Sequence, residues 1–208
     1  TMEQWSTLDR NVAAVKNRLT NARGEKGSYP GRHQELPAVY TNTTLTRLLT
    51  YNGLQPFAEE SAAEIAVVGK TPPGPPWTYW RATEGWAAFV NESDWGLGVF
   101  LPGCHYFAGG YTGAAGQGTQ SPGTGYMSPI RTEILDHDMV YEYTYFLILG
   151  SLGDIRRYVY DHRPEPRPNF QFRGSRQHWV YANASDAGLQ ANRPLRVQWN
   201  ANSDPQMI

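Results

Sequence analysis

Val140-Tyr141-Glu142-Tyr143-Thr144-Tyr145-Phe146-Leu147-Ile148-Leu149 sets the period from which the rest of the chain is read. Side chains on a strand alternate between two faces, so this order sends Tyr141, Tyr143 and Tyr145 one way and Val140, Glu142, Thr144 and Phe146 the other. The stretch lacks Gly and Pro, is rich in aromatic and β-branched residues, and closes on a continuous apolar run, Phe146 to Leu149. It reads as a long strand with a buried end and a tyrosine ladder along one face. Such a strand needs partners.

Gly150 to Tyr160, with Asp154, Ile155, Tyr158 and Val159 at suitable spacing, is the best helix. Upstream, Trp86 to Val90 and Trp95 to Leu101 are two strands around the turn Asn91-Glu92-Ser93-Asp94. Leu36 to Tyr40 is another, residues 45 to 51 form one closed by the hairpin signal Asn52-Gly53, and Ile65 to Val68 is a short apolar one. Residues 6 to 20 fit two patterns. Leu8, Val12, Val15 and Leu19 share a helical face, with Ser6 and Asp9 at capping-box spacing, whereas Asp9-Arg10-Asn11 makes a hairpin turn between strands; the strand reading is preferred. Thr71 to Pro76, TPPGPP, cannot donate a ladder of hydrogen bonds and reads as an extended loop. The glycine-rich residues 108 to 126 read as a long surface loop, the rim of a binding site. After a proline-rich connection, His162 to Pro168, strand patterning returns at Phe170 and Phe172, at His178 to Tyr181, and at Leu195, Val197 and Trp199.

Short strands separated by Gly, Pro and Asn turns predict an all-β chain, an antiparallel β-sandwich of jelly-roll type with at most one or two short helices. The 208 residues suffice for one core. A β-sandwich domain is expected over residues 1–165, with a C-terminal β segment, residues 166–208, packed on it. A doubly wound nucleotide fold is excluded, because helices do not alternate with strands and no helical pattern follows the glycine-rich stretch.

Eighteen basic residues against 19 acidic ones leave a net charge of -1. No global field then draws the protein to nucleic acid or to a membrane surface, and no run of about 18 apolar residues is present to span a bilayer. The single cysteine, Cys104, is expected as a buried thiol. N-x-S/T triplets at Asn42, Asn91 and Asn183 point to a glycoprotein of the secretory pathway. Thr1-Met2 opens directly into patterned sequence, as expected of a mature form or a fragment.

Aromatic residues make up 13% of the chain, and pyranose rings present apolar faces that stack on Trp and Tyr while their hydroxyls meet a few polar groups. Trp77, Trp80, Glu84, His105, Tyr106 and Tyr111 are therefore the expected ligand contacts, along a cleft rimmed by residues 72 to 86 and 105 to 126. Trp86 and Trp95 are assigned to the core.

Two groups offer catalysis. In extended backbone, His33 and Glu35 of Arg32-His33-Gln34-Glu35 share a face, and a His beside a carboxylate can be a tuned base. In Arg131-Thr132-Glu133, the carboxylate neighbours a cation able to shift its pKa. Glu35 and Glu133 are the pair to test for glycoside hydrolysis, which needs two carboxyls about 5 to 9.5 Å apart. His33 and Arg131, with Arg32 and Tyr141, would serve a uronate lyase, in which a cation neutralises the sugar carboxylate and a His or Tyr moves the proton. The use of 15 Arg against 3 Lys suits carboxylate recognition. Asp136-His137-Asp138 reads first as a turn; a structural calcium is the one cofactor weighed there, and no catalytic metal is expected.

The blocks Asn17-Arg18-Leu19-Thr20-Asn21, Arg32 to Tyr40, Asp94-Trp95-Gly96-Leu97-Gly98-Val99, Arg131 to Asp136, Arg176-Gln177-His178-Trp179 and Asn183-Ala184-Ser185-Asp186 resemble secreted β-sandwich proteins of polysaccharide-degrading microbes. The resemblance spans most of the chain. It implies an extracellular, carbohydrate-related role and carries over no catalytic residue. The expected partner is thus a polysaccharide or glycan, engaged by a binding protein or cut by an enzyme. A structural cell-surface or filament protein that self-associates through exposed aromatics is the third expectation.

Overall fold

A computed structural model describes residues 1–25, 27–42, 44–65, 77–112, 124–164, 197–198 and 206–207. The chain divides into two compact units, Thr1–Arg163 and Pro164–Ile208. In the first, β1 (Met2–Asp9), β2 (Val12–Asn21), β3 (Arg32–Glu35), β4 (Val39–Asn42), β5 (Arg47–Thr50), β6 (Ala63–Glu64), β7 (Thr78–Arg81), β8 (Trp86–Val90), β9 (Trp95–Phe100), β10 (Tyr106–Thr112), β11 (Thr124–Glu133) and β12 (Met139–Ser151) precede the helix α1 (Leu152–Asp161). The second unit contributes β13 (Val197–Gln198) paired with β14 (Gln206–Met207); the other strands expected after residue 164 lie outside the described residues.

Two antiparallel sheets make the first unit. The larger has seven strands in the order β1-β2-β12-β9-β8-β5-β6, and the smaller runs β3-β11-β10-β7 with β4 also paired to β11. The fold is an all-β sandwich. Strand β12 extends the Val140–Leu149 reading by one or two residues at each end, and its tyrosines form the expected ladder, with ring centroids 5.8 and 6.2 Å apart. Alternating residues of the two sheets meet between them: Val15, Leu48, Phe89, Val99 and Tyr145 from the larger, Val39, Trp80, Phe107, Tyr111 and Met127 from the smaller.

The other face of the larger sheet carries Val12, Trp86, Ala88, Phe100 and Ile148, which helix α1 covers with Ile155 and Val159. Ser151 caps that helix: its hydroxyl accepts from the Asp154 N–H, and the Asp154 carboxylate accepts from the Ser151 backbone. The same hydroxyl donates to that carboxylate and is the largest cause of its lowered pKa. The helix lies close because β9 has Gly98 beneath it, where a Cβ would stand 2.6 Å from the Ile155 side chain.

Several local expectations change. Asn52-Gly53 does not close a hairpin, because β5 pairs with β6 only after a long excursion in which the Tyr51 and Gly53 carbonyls accept from Thr83. Leu36 to Tyr40 is not one strand. Pro37 interrupts the ladder, so that β3 and β4 pair separately with β11. The short apolar strand is placed at Ala63–Glu64, with Ile65 buried beyond it; Ala66 to Val68 and the TPPGPP run lie outside the described residues. The ends of the expected 108–126 loop belong to strands β10 and β11, and residues 113–123 lie outside the description. Glycine serves packing here: a Cβ on Gly109 would sit 2.9 Å from the buried Trp80 ring. Trp86 is in the core as expected, whereas Trp95 is 46% exposed at the open end of β9. Cys104 is buried, and burial pushes its thiol pKa up. Among the described residues no helix is long and apolar enough to cross a membrane.

Candidate functional site

The smaller sheet has an outer face that helix α1 does not cover, and strand registers say what stands on it. Tyr106 is paired with Arg81, and Ile130, beside Tyr106 on β11, with Glu35. Two residues along, Tyr79 faces Ala108, and Ala108 faces Ser128. Two more along, Gly110 faces Tyr126 and Tyr126 faces Tyr40, with Trp77 continuing β7 at the same level. At the opposite end His33 faces Thr132. Paired residues share a face, so His33, Glu35, Tyr40, Trp77, Tyr79, Arg81, Tyr106 and Tyr126 stand on one surface.

Their rings meet in two groups. Tyr79 and Tyr106 are stacked at 5.5 Å, and His33 lies 6.1 and 5.9 Å from them. Trp77 lies 4.7 Å and Tyr40 5.4 Å from Tyr126. Beneath sit the buried Ala108, Ser128 and Ile130, small or aliphatic residues that let the rings lie over the sheet. Tyr40, Tyr79 and Tyr106 stay 63%, 48% and 44% exposed, His33 and Glu35 are exposed, and Trp77 is half-buried. The Tyr126 hydroxyl donates to Glu35 Oε1 at 2.6 Å. Burial first, and that hydrogen bond second, raise the pKa of Tyr126 far above the ordinary phenol value. The face thus offers apolar rings, an imidazole and a carboxylate held by a buried phenol.

The catalytic pairs read from sequence are not assembled. Glu35 shares a face with Ile130, whereas Glu133, three residues further along β11, points to the other side. Glu133 accepts a 2.9 Å hydrogen bond from the Tyr141 hydroxyl between the sheets, and burial, followed by the Glu133 charge, raises that tyrosine's pKa. His33 and Arg131 are separated in the same way, since His33 pairs with Thr132 and Arg131 with Gln34. Arg131 donates to the Pro102 carbonyl at 3.2 Å. The sheet itself stands between the members of each pair.

Three expected ligand contacts are interior. Trp80 and Tyr111 point into the core against Phe107 and Phe89, at 6.0 and 5.8 Å. Glu84 is buried in the β7–β8 turn, where Oε1 accepts from the Phe57 N–H at 2.8 Å and the Tyr160 hydroxyl at 2.9 Å, and Oε2 from Trp86 Nε1 at 2.8 Å. It binds protein and has no face for a ligand. His105 is half-buried beside the sheet, its Nδ1 3.3 Å from the Ala82 carbonyl oxygen. Of the six expected contacts, Trp77 and Tyr106 join the outer face. Tyr79, which belongs to the same run of aromatics as Trp77, joins them, as the alternation Trp77/Tyr79 against Thr78/Trp80 implies, and so does Tyr40, which the sequence reading did not single out.

Asp136-His137-Asp138 forms the expected turn, with His137 Nδ1 3.1 Å from Asp138 Oδ2 and the Asp136 carbonyl accepting from Asn21 at 2.6 Å. Among the described residues no three His, Cys, Asp or Glu side chains gather in a way that could hold a metal. Asn42 and Asn91 each use the side-chain oxygen to accept a backbone N–H in a local turn, and Asn183 lies outside the described residues. No protein-family model matches the chain, and no curated protein matches it.

Proposed function

We propose that the protein engages a polysaccharide or glycan in the extracellular space through the outer face of its five-stranded sheet. One observation carries the reading: His33, Tyr40, Trp77, Tyr79 and Tyr106 stand on a single sheet face with their rings partly bare, beside the Glu35 carboxylate. Rings seated on a rigid sheet give up little freedom on binding and match the apolar faces of sugars, while Glu35 and His33 meet hydroxyls. A lone exposed tyrosine would mean nothing; several meeting on one face form a patch of the kind that serves recognition. Single-stranded nucleic acid also stacks on aromatics, but it needs a positive groove, and the net charge is -1.

Affinity electrophoresis through a panel of plant, algal and microbial polysaccharides tests it. Retardation on at least one polymer is expected, and Tyr79→Ala or Tyr106→Ala should weaken it at least ~10-fold. Glu133→Gln, on the opposite side of the sheet, should leave the retardation unchanged. No retardation on any polymer with the far-UV spectrum intact, or equal loss from Glu133→Gln and Tyr106→Ala, would refute the assignment.

A further inference from the structure

Strand β1 is the outermost strand of the seven-stranded sheet, and all eight of its residues are exposed. Natural edge strands are shortened, bulged or guarded by Pro and Lys. This one is neither short nor bulged and has no Pro or Lys, its charges being Glu3 and Asp9 near its two ends: its register with β2 is unbroken from Met2 to Asp9, and its sequence is Met-Glu-Gln-Trp-Ser-Thr-Leu-Asp. It also bears apolar side chains on both faces, Met2 and Leu8 at 64% and 76% exposure on one and Trp5 at 45% on the other.

The hydrogen-bond parity of the edge can be worked out. Thr1 and Thr20 exchange both of their backbone bonds, at 2.8 and 2.9 Å. Bonded pairs alternate along an antiparallel ladder, so Glu3, Trp5, Thr7 and Asp9 bond to β2. Met2, Gln4, Ser6 and Leu8 therefore aim their N–H and C=O groups outward, and only another strand can satisfy them as a row.

We propose that two copies of this chain join edge to edge through β1, antiparallel about a two-fold axis at Trp5. In that register Met2 lies opposite Leu8 and Gln4 opposite Ser6, so every outward-aimed pair meets an outward-aimed pair. Glu3 then faces Thr7, and Trp5 faces its own counterpart. A shift one way sets Glu3 against Asp9 of the other copy, a like-charge pair; a shift the other way sets Met2 against Ser6 and parts the apolar Met2–Leu8 pair. Registers of the other parity would face outward groups with groups already bonded to β2. The charge pattern and the parity thus select one self-complementary pairing, as an isologous interface requires. The join lies on the larger sheet, away from the aromatic face of the smaller one, and does not depend on the glycan proposal.

Sedimentation velocity over a wide range of concentration should show a monomer–dimer equilibrium. Ser6→Pro removes an outward N–H and leaves the bonds to β2 in place, so it should weaken the dimer at least ~10-fold. The register has its own readout. Unbonded antiparallel pairs have Cα atoms about 4.5 Å apart, within disulfide reach, so Trp5→Cys should cross-link two chains under mild oxidation. Thr7→Cys, whose counterpart is Glu3, should not, and the buried Cys104 does not compete. A monomer at every concentration with a native far-UV spectrum, a dimer indifferent to Ser6→Pro, or equal cross-linking by both cysteine variants would overturn the proposal.

Discussion

Glu84→Ala is expected to lower the stability of the fold by about 3–5 kcal/mol, and the midpoint of thermal unfolding by about 10 °C or more. The carboxylate is buried and receives hydrogen bonds from three separate parts of the chain: the Phe57 N–H of the loop after β5, the Trp86 indole of β8, and the Tyr160 hydroxyl of α1. Truncation leaves the buried Trp86 indole and the half-buried Phe57 N–H and Tyr160 hydroxyl without this acceptor, and a buried donor so orphaned costs about 1–3 kcal/mol. The Tyr160 hydroxyl also receives a 2.7 Å bond from Arg156, which in turn donates to the Glu60 carbonyl at 2.6 Å, so the loss spreads to the contact between helix and loop. Glu84→Gln keeps the shape and one acceptor but turns an amide hydrogen toward an existing donor, and should fall between wild type and alanine. Adding Tyr160→Phe to Glu84→Ala should cost far less than Tyr160→Phe alone, since the two side chains act as one unit. Equilibrium urea unfolding of the wild type and these four variants checks this. A Glu84→Ala variant within 1 kcal/mol of wild type, or additive losses in the double variant, would show the network to be incidental.

What the sequence discloses of this architecture follows range. Strand β12, the hairpin around Asn91 to Asp94 and helix α1 behind Ser151 and Asp154 rest on residues close together, and all three form where their local pattern puts them. The same holds within β3, where period two places His33 and Glu35 on one face. Between strands the information is of another kind. Whether Glu35 and Glu133 share a side depends on the β3–β11 register, set by long-range pairing, and a slip of one residue would reverse the answer. Trp77 and Trp80 are told apart only by knowing that they belong to one strand. Glu84 looks like any surface carboxylate in a turn, because two of its three donors, the Phe57 N–H and the Tyr160 hydroxyl, come from distant segments. The Gly109 region misled for a third reason: glycine marks loops by composition, yet here it makes room for the Trp80 ring.

Several tyrosines should ionise together and take the fold with them. Burial raises the pKa of Tyr111, Tyr126, Tyr141, Tyr143, Tyr145, Tyr158 and Tyr160 above the ordinary phenol value; Glu35 adds to the effect at Tyr126, Glu133 at Tyr141 and Glu84 at Tyr160. The folded state therefore holds these protons more tightly than the unfolded chain, whose tyrosines titrate near pH 10. The stability they contribute is fully present below about pH 10 and drains away as pH rises toward the folded-state values, because only the unfolded chain gains from ionising in that interval. Absorbance at the tyrosinate band and far-UV circular dichroism, followed together, should share one steep transition on the alkaline side for these buried rings. Glu35→Gln and Glu133→Gln each remove the negative acceptor beside one phenol while leaving it buried. Since burial is the larger cause at both sites, each should relieve part of the elevation at Tyr126 or Tyr141 and leave the shared transition in place. A gradual rise in tyrosinate with unchanged circular dichroism would mean that these hydroxyls reach water within the folded protein, and the two-layer packing of β11 and β12 around them would have to be redrawn.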